Sequence, residues 1–227
     1  VSGHTLQIDR IGFEEQPVIH VDNAFPDPEQ LVEMATTSTF DLESAYYPGV
    51  RAPAPKGYLE SVRDAIASVG PEAFGWQGGK LSVHEGYFSI VTKSPEELMP
   101  IQCIPHYDGT DTGIIAVLHY LCPPGHGGTA FYRHRTTGFE TITEGRQSSY
   151  KASLEADARR EGMPQHDYIR GSSAMFEQTA AYEARFNRLL AYRGCSLHSG
   201  MIPENPVLSD NPREGRLTLN TFLFYEG

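Results

Sequence analysis

From about Lys80 onward the chain is a succession of short, strand-like apolar runs separated by glycine and proline, and no other feature narrows its fold as far. The runs fall at 81–91, 113–121, 129–133, 186–192 and 216–225. They are rich in Val, Ile, Tyr and Phe, residues that suit a pleated, half-buried surface. Several short strands with such turns read as an all-β sandwich or barrel.

The earlier part reads differently. Residues 17–23 form a short apolar strand that ends in turn residues. A helix is expected over 29–37, with Asp27 as N-cap and Pro28 in its first turn. The segment 46–55 holds Pro48, Pro53 and Pro55 and must be extended or turning. Leu59, Val62, Ile66 and Val69 have helical spacing, and Gly70-Pro71 is expected to stop that helix. Within the β region, 148–161 is rich in Ala, Leu, Glu and Arg and reads as an inserted helix, with a second short helix around 172–183. This insertion, 148–183, has two open readings: a substrate-facing lid, or a brace outside the sheet. The expected organisation is an N-terminal strand-helix segment, 1–79, packed on a β core, 80–227.

Composition sets outer bounds. A chain of 227 residues can bury a sizeable single core. Lys plus Arg is 18 against 29 Asp plus Glu, a net charge of −11. That balance argues against nucleic acid and anionic membranes as partners. No run reaches the ~18 apolar residues of a membrane helix, and residues 1–4 have no charged-then-apolar leader pattern. Cys103, Cys122 and Cys195 are odd in number and far apart. They argue against a disulfide framework or a cysteine-built zinc site, and for a reducing, cytoplasmic setting.

The residues that carry chemistry lie in the β region. His106 and Asp108 are two apart, so on a strand both point to one face, and Pro105 and Gly109 suit a strand end. His198 follows an apolar strand and a glycine turn, where a barrel presents rim residues. Two histidines and one carboxylate on one side of a metal, with the opposite positions open, is the arrangement of non-haem Fe(II) oxygenases. Further on, Arg216, Thr218 and Asn220 alternate with Leu217 and Leu219. An inward-facing arginine needs a partner, and a dicarboxylate co-substrate would fit its fork. His119, His126 and His134 are read as packing or turn residues rather than a second metal site. Tyr46, Tyr47 and Arg51 form an aromatic-basic patch that packing of a covering loop explains better than a substrate mouth does.

Taken in order, His106-x-Asp108, His198 and Arg216-x-Thr218 resemble the Fe(II)- and 2-oxoglutarate-dependent dioxygenases, most nearly their prolyl-hydroxylase-like branch. The lead-in over 17–34, the Gly127-Gly128-Thr129-Ala130-Phe131 turn and strand, and 187–192 ahead of His198 match that branch as well. Two departures stand out. The gap between His198 and Arg216 is longer than is usual in the family and holds a loop with three prolines, and Thr129 stands where an acidic residue is common. Arg193 and Arg188 therefore remain alternatives to Arg216.

The resemblance implies a mainly β fold with flanking helices: a double-stranded β-helix, or cupin-like jelly roll, with an N-terminal helical brace. It implies Fe(II) held by His106, Asp108 and His198. It implies 2-oxoglutarate anchored by Arg216 and Thr218 and touched by Tyr120, with O2 as the oxidant. The implied reaction hydroxylates a C–H of a peptide or protein side chain or of a small metabolite and releases succinate and CO2. The alternative keeps the fold and the metal ligands but not 2-oxoglutarate: a cupin-like binding protein or metal-dependent isomerase. An outward-facing Arg216 would favour that alternative.

Overall fold

The structure, a computed structural model, describes residues 5–43, 46–162, 164 and 166–227. The opening stretch 1–4, read above for a leader, lies outside them. Eleven strands among the described residues form two antiparallel sheets. In chain order they are β1 (Thr5–Ile11), β2 (Gln16–Asp22), β3 (Leu42–Glu43), β4 (Gly49–Pro53), β5 (Lys80–Val91), β6 (Ile114–Tyr120), β7 (Gly128–His134), β8 (Phe176–Glu183), β9 (Arg188–Arg193), β10 (His198–Met201) and β11 (Arg216–Glu226). The large sheet runs β1-β2-β9-β6-β11-β5-β4-β3, and the small one β10-β7-β8. Two facing antiparallel sheets with these crossovers make a jelly-roll-like sandwich.

Alternation assigns the faces. On β11, Leu217, Leu219 and Leu223 are buried with Ile115, Val117 and Phe88 on the side away from the small sheet. Each such side chain contributes about 1.5–3 kcal/mol on burial. The same cluster takes in Leu31, Val32 and Ala35 of α1 (Pro28–Thr36) and Tyr58, Val62 and Ile66 of α2 (Lys56–Phe74). Asp27 caps α1 by accepting from the Gln30 N–H, with Pro28 in the first turn. The other face of the large sheet meets the small one: Tyr120, Leu190 and Tyr192 pack with Phe131 and Tyr182.

Two expectations are corrected. Helix α2 does not stop at Gly70-Pro71 but runs on to Phe74 and ends at Gly75, φ 73°. Ala73 and Phe74 are buried beside Trp76, and a Cβ on Gly70 would lie 2.0 Å from the Trp76 ring. The packing outweighs the loss of one backbone donor at Pro71. Residues 172–183 form no helix. Phe176–Glu183 is strand β8, which satisfies the free edge of β7 along its length. The strand expected at 17–23 is β2, and with β1, β3 and β4 from the same N-terminal segment it closes both margins of the large sheet.

The inserted helix is α3 (Glu144–Glu161). Its Tyr150 packs with Tyr132, Phe176 and Leu197, on the face of the small sheet turned away from the sheet-to-sheet interior. His134 Nε2 and Asp157 Oδ2, both buried, pair at 3.0 Å and tie α3 to β7. Among the described residues, no helix is long and apolar enough to cross a membrane.

Candidate metal centre

His106, Asp108 and His198 converge. One ligand atom from each lies within 4.8 Å of the others, and among the described residues this is the one such cluster. His106 Nε2 is 3.9 Å from Asp108 Oδ1, and His198 Nε2 is 3.7 Å from Asp108 Oδ2. The backbone explains the meeting. His106 and His198 form an isolated antiparallel bridge, and the Asp108 N–H donates to the Gly194 carbonyl at 2.8 Å. Tyr107 turns the other way, where its hydroxyl accepts from Gln147 and its ring meets Tyr150 edge-on.

The ring orientations suit a ligand role. His198 Nδ1 lies 2.9 Å from the Ser196 carbonyl, which only an N–H can satisfy. Nε2 then carries the lone pair and faces Asp108. His198 is buried, whereas His106 keeps 42% of its side-chain surface open in the cleft between the sheets. Protein around the cleft still holds the His106 imidazole well below the ordinary histidine range, helped by the His198 and Arg51 charges. Burial pushes the Asp108 carboxyl up, against the pull of His198 and Arg51. A divalent cation would reverse that cost by stabilising the carboxylate.

Arg216 points inward and is 5% exposed. Its Nε donates to the His126 carbonyl at 3.1 Å and its Nη2 to the Gly128 carbonyl at 2.8 Å. Its guanidinium stands 5.6 Å from the centre of the Tyr120 ring, and no carboxylate pairs with it among the described residues. Both acceptors are neutral carbonyls, so the buried guanidinium keeps its positive charge without a paired carboxylate among the described residues. The Gly127-Gly128 turn makes the cradle. Gly127 has φ 77°, and a Cβ there would fall 1.6 Å from the Met201 carbonyl oxygen.

The other predicted residues sort cleanly. Thr218 is buried beside Arg216 on the same face of β11. Tyr120 lies opposite Thr218 on β6, and its hydroxyl is bound to Thr129 Oγ1 at 2.6 Å. Arg188 is occupied by Asp22, at 2.5 and 2.8 Å. Arg193 donates to the carbonyls of Thr112 and Phe74 and lines a surface depression that shares no residue with the triad. His119 is bound by Tyr58 and Asn187, His134 pairs with Asp157, and the His126 carbonyl accepts from Arg216.

The sequence reading took Tyr47 and Arg51 as packing of a covering loop and passed over Ser89. Tyr47 Oη, Arg51 Nε, Ser89 Oγ and Asn220 Oδ1 are buried without a hydrogen-bond partner. Arg51 lies opposite Ser89, and Ser89 opposite Thr218, so all three share the inner face. A serine inside the apolar run Phe88-Ser89-Ile90-Val91 was the available signal for Ser89.

Comparisons with solved structures agree with the architecture. HygX from Streptomyces hygroscopicus, crystallised with nickel and 2-oxoglutarate bound, is 10% identical, with a TM-score of 0.53 over 93% of this chain and 84% of HygX. The non-haem α-ketoglutarate-dependent epimerase SnoN from nogalamycin biosynthesis is 11% identical, with a TM-score of 0.50 over 93% of this chain and 79% of SnoN. The carbocyclase SnoK from the same biosynthesis is 10% identical, with a TM-score of 0.50 over 93% of this chain and 81% of SnoK. At these identities the likeness is one of fold. No curated protein sequence matches the chain. The sequence profile of a family of unknown function, DUF6445, matches residues 2–223, and the chain belongs to that family.

Proposed function

We propose that this protein is an Fe(II)- and 2-oxoglutarate-dependent oxygenase that oxidises a C–H bond of a small molecule or peptide, with hydroxylation as the default outcome. One relationship carries the proposal: a two-histidine, one-carboxylate triad and a buried, carboxylate-free arginine lie close together along β10, with Arg216 on the inner face of the large sheet. Arg216 Nη2 comes within 3.8 Å of where a Cβ on Gly200 would stand, and Gly200 is two residues past His198 on β10. Two residues of strand span roughly 6.6–6.8 Å, about the length of a five-carbon dicarboxylate. The motif order supports the prolyl-hydroxylase-like branch, and the fold shared with HygX, SnoN and SnoK supports the general class.

The donor set fits iron: imidazole and carboxylate, three ligands, with room left on the cleft side. His106, Asp108 and His198 would hold it. Bound there with 2-oxoglutarate and oxygen, iron supplies the oxidative decarboxylation to succinate and CO2 that drives substrate oxidation. The chain's own contributions are positional. Ser196 sets the His198 tautomer, the His106–His198 bridge sets the separation of the rings, and Arg216 with Thr218 receives the far carboxylate. Tyr192 and Phe131, packed in the same buried cluster as Tyr120 and Leu190, set their rings against His198 and surround it with apolar surface. The inward, buried Arg216 disfavours the cupin-like alternative, which has no use for such an anchor.

Anaerobic addition of Fe(II) and then 2-oxoglutarate tests the reading. A saturable visible charge-transfer band is expected on the second addition. Iron binding without a band would pass the lead to the isomerase or binding-protein alternative, and no iron binding would remove the triad from consideration.

A further inference from the structure

We propose that Arg51 is the substrate-recognition residue of this site, and that the molecule oxidised carries a free carboxylate which Arg51 binds. The inference rests on the co-substrate reading above and specifies the substrate class.

Three observations support it. First, Arg51 is placed for it. The row Arg216–Val91–Gly49 crosses β11, β5 and β4, and the next row is Thr218–Ser89–Arg51. On β11 that step leads toward Phe222, which is level with Ala116 and Tyr192, and Tyr192 packs 4.8 Å from the His198 ring. Arg51 thus stands one row nearer the triad than Arg216 does.

Second, Arg51 is held but not satisfied. Its guanidinium lies 4.5 Å from the Tyr47 ring centre and 5.4 Å from that of Tyr87. Its Nε is buried without an acceptor, and no carboxylate pairs with it among the described residues. Glu85, on the same face, is engaged by the Tyr87 hydroxyl at 2.8 Å. The two tyrosine rings hold the guanidinium by cation–π attraction without supplying a hydrogen-bond acceptor, which a carboxylate would provide. Asn220 Oδ1, unpartnered in the adjacent row, adds a neighbouring polar contact.

Third, the charges leave Arg51 over. 2-Oxoglutarate brings two carboxylates. On the reading above one goes to Arg216 and the other, at the keto-acid end, to the metal. A second half-buried guanidinium on the same wall then needs an anion from another molecule. In a protein of net charge −11 such a pocket is a local exception, and it selects carboxylic acids over neutral or cationic molecules.

The arginine Nε–Hε signals of the Zn(II)-loaded, full-length protein provide the test, with no turnover involved. The Arg51 and Arg216 signals are assigned by their loss in Arg51→Gln and Arg216→Gln. 2-Oxoglutarate is added to saturation, followed by 3-phenylpropionate, with 3-phenylpropionamide as the uncharged control. 2-Oxoglutarate is expected to move the Arg216 signal and leave that of Arg51 in place. The carboxylate should then move Arg51 where the amide does not. Arg51→Gln should weaken 3-phenylpropionate by about tenfold or more, the weight of one charge-assisted hydrogen bond, with 2-oxoglutarate affinity unchanged. An Arg51 signal that answers to 2-oxoglutarate, or that answers to acid and amide alike or to neither, overturns the proposal. A silent Arg216 signal fails instead the co-substrate reading on which the proposal rests.

Discussion

His106 and His198 exchange two backbone hydrogen bonds, each 2.8 Å long, so the separation of the two imidazoles is set by main chain and not by the rings themselves. Removing a ring leaves the bridge in place. His106→Ala, Asp108→Ala and His198→Ala are therefore expected to keep the fold and melt close to the parent. Each should lose Fe(II) affinity by at least about 100-fold, more than loss of a supporting contact would cost. Metal titration beside thermal melts checks this, and normal iron affinity in Asp108→Ala would take that carboxylate out of the ligand set.

Arg216 separates co-substrate from metal. Arg216→Gln is expected to bind Fe(II) normally and to weaken 2-oxoglutarate by about 10- to 100-fold, the range of a charged hydrogen bond. Arg188 and Arg193 have partners of their own, so an unchanged 2-oxoglutarate affinity would move the anchor to Arg51.

Gly127 should couple stability to the same function. Its left-handed backbone and the 1.6 Å approach to Met201 leave no room for a methyl group. Gly127→Ala is expected to cost more than about 1 kcal/mol in urea unfolding. Because the flanking His126 and Gly128 carbonyls hold Arg216, the variant should lose 2-oxoglutarate affinity faster than iron affinity. The two titrations, run on the folded fraction, would reveal equal losses if the cradle were unimportant.

His119 predicts part of the pH dependence. Its ring is fully buried, with the Tyr58 hydroxyl on Nδ1 and the Asn187 side-chain oxygen at Nε2, each at 3.0 Å. Burial lowers its pKa to about 4. The folded state thus favours the neutral ring. The stability this protects is complete above the ordinary histidine value of 6.5 and is lost as pH falls toward 4. The loss amounts to roughly 3 kcal/mol. Denaturation at stepped pH should give a shallower slope in His119→Gln than in the parent over that interval; identical slopes would refute the assignment.

Much of the site was legible because it rests on order and parity. His106-x-Asp108 and Arg216-x-Thr218 are short patterns whose facing follows from alternation, and His198 follows a strand that ends in glycine. The unread part depends on cross-strand register, which one strand's sequence does not contain. Arg51 and Ser89 become neighbours of Thr218 only when β4 and β5 pair beside β11. Whether Arg188 and Arg193 have partners of their own depends on groups distant in sequence, Asp22 and the Phe74 carbonyl among them. Local propensity misled at 172–183, where alanines favour helix and the open edge of β7 imposes strand, and at Pro71, where burial of Phe74 carries the helix onward. Strand β1 went unread although Leu6 and Ile8 alternate with polar residues ahead of Gly12.

Strand β4 comes from the N-terminal third of the chain, yet it pairs with β5 and carries Arg51 into the cleft. Trimming the protein back to the β region that begins at Lys80 would therefore not isolate the candidate site intact. It would uncover the long flank of β5 and one flank of β9, two rows of unpaired amides that invite other chains to dock. Aggregation is the expected fate of such a fragment, and the two parts of the chain have to be expressed, engineered and inherited together.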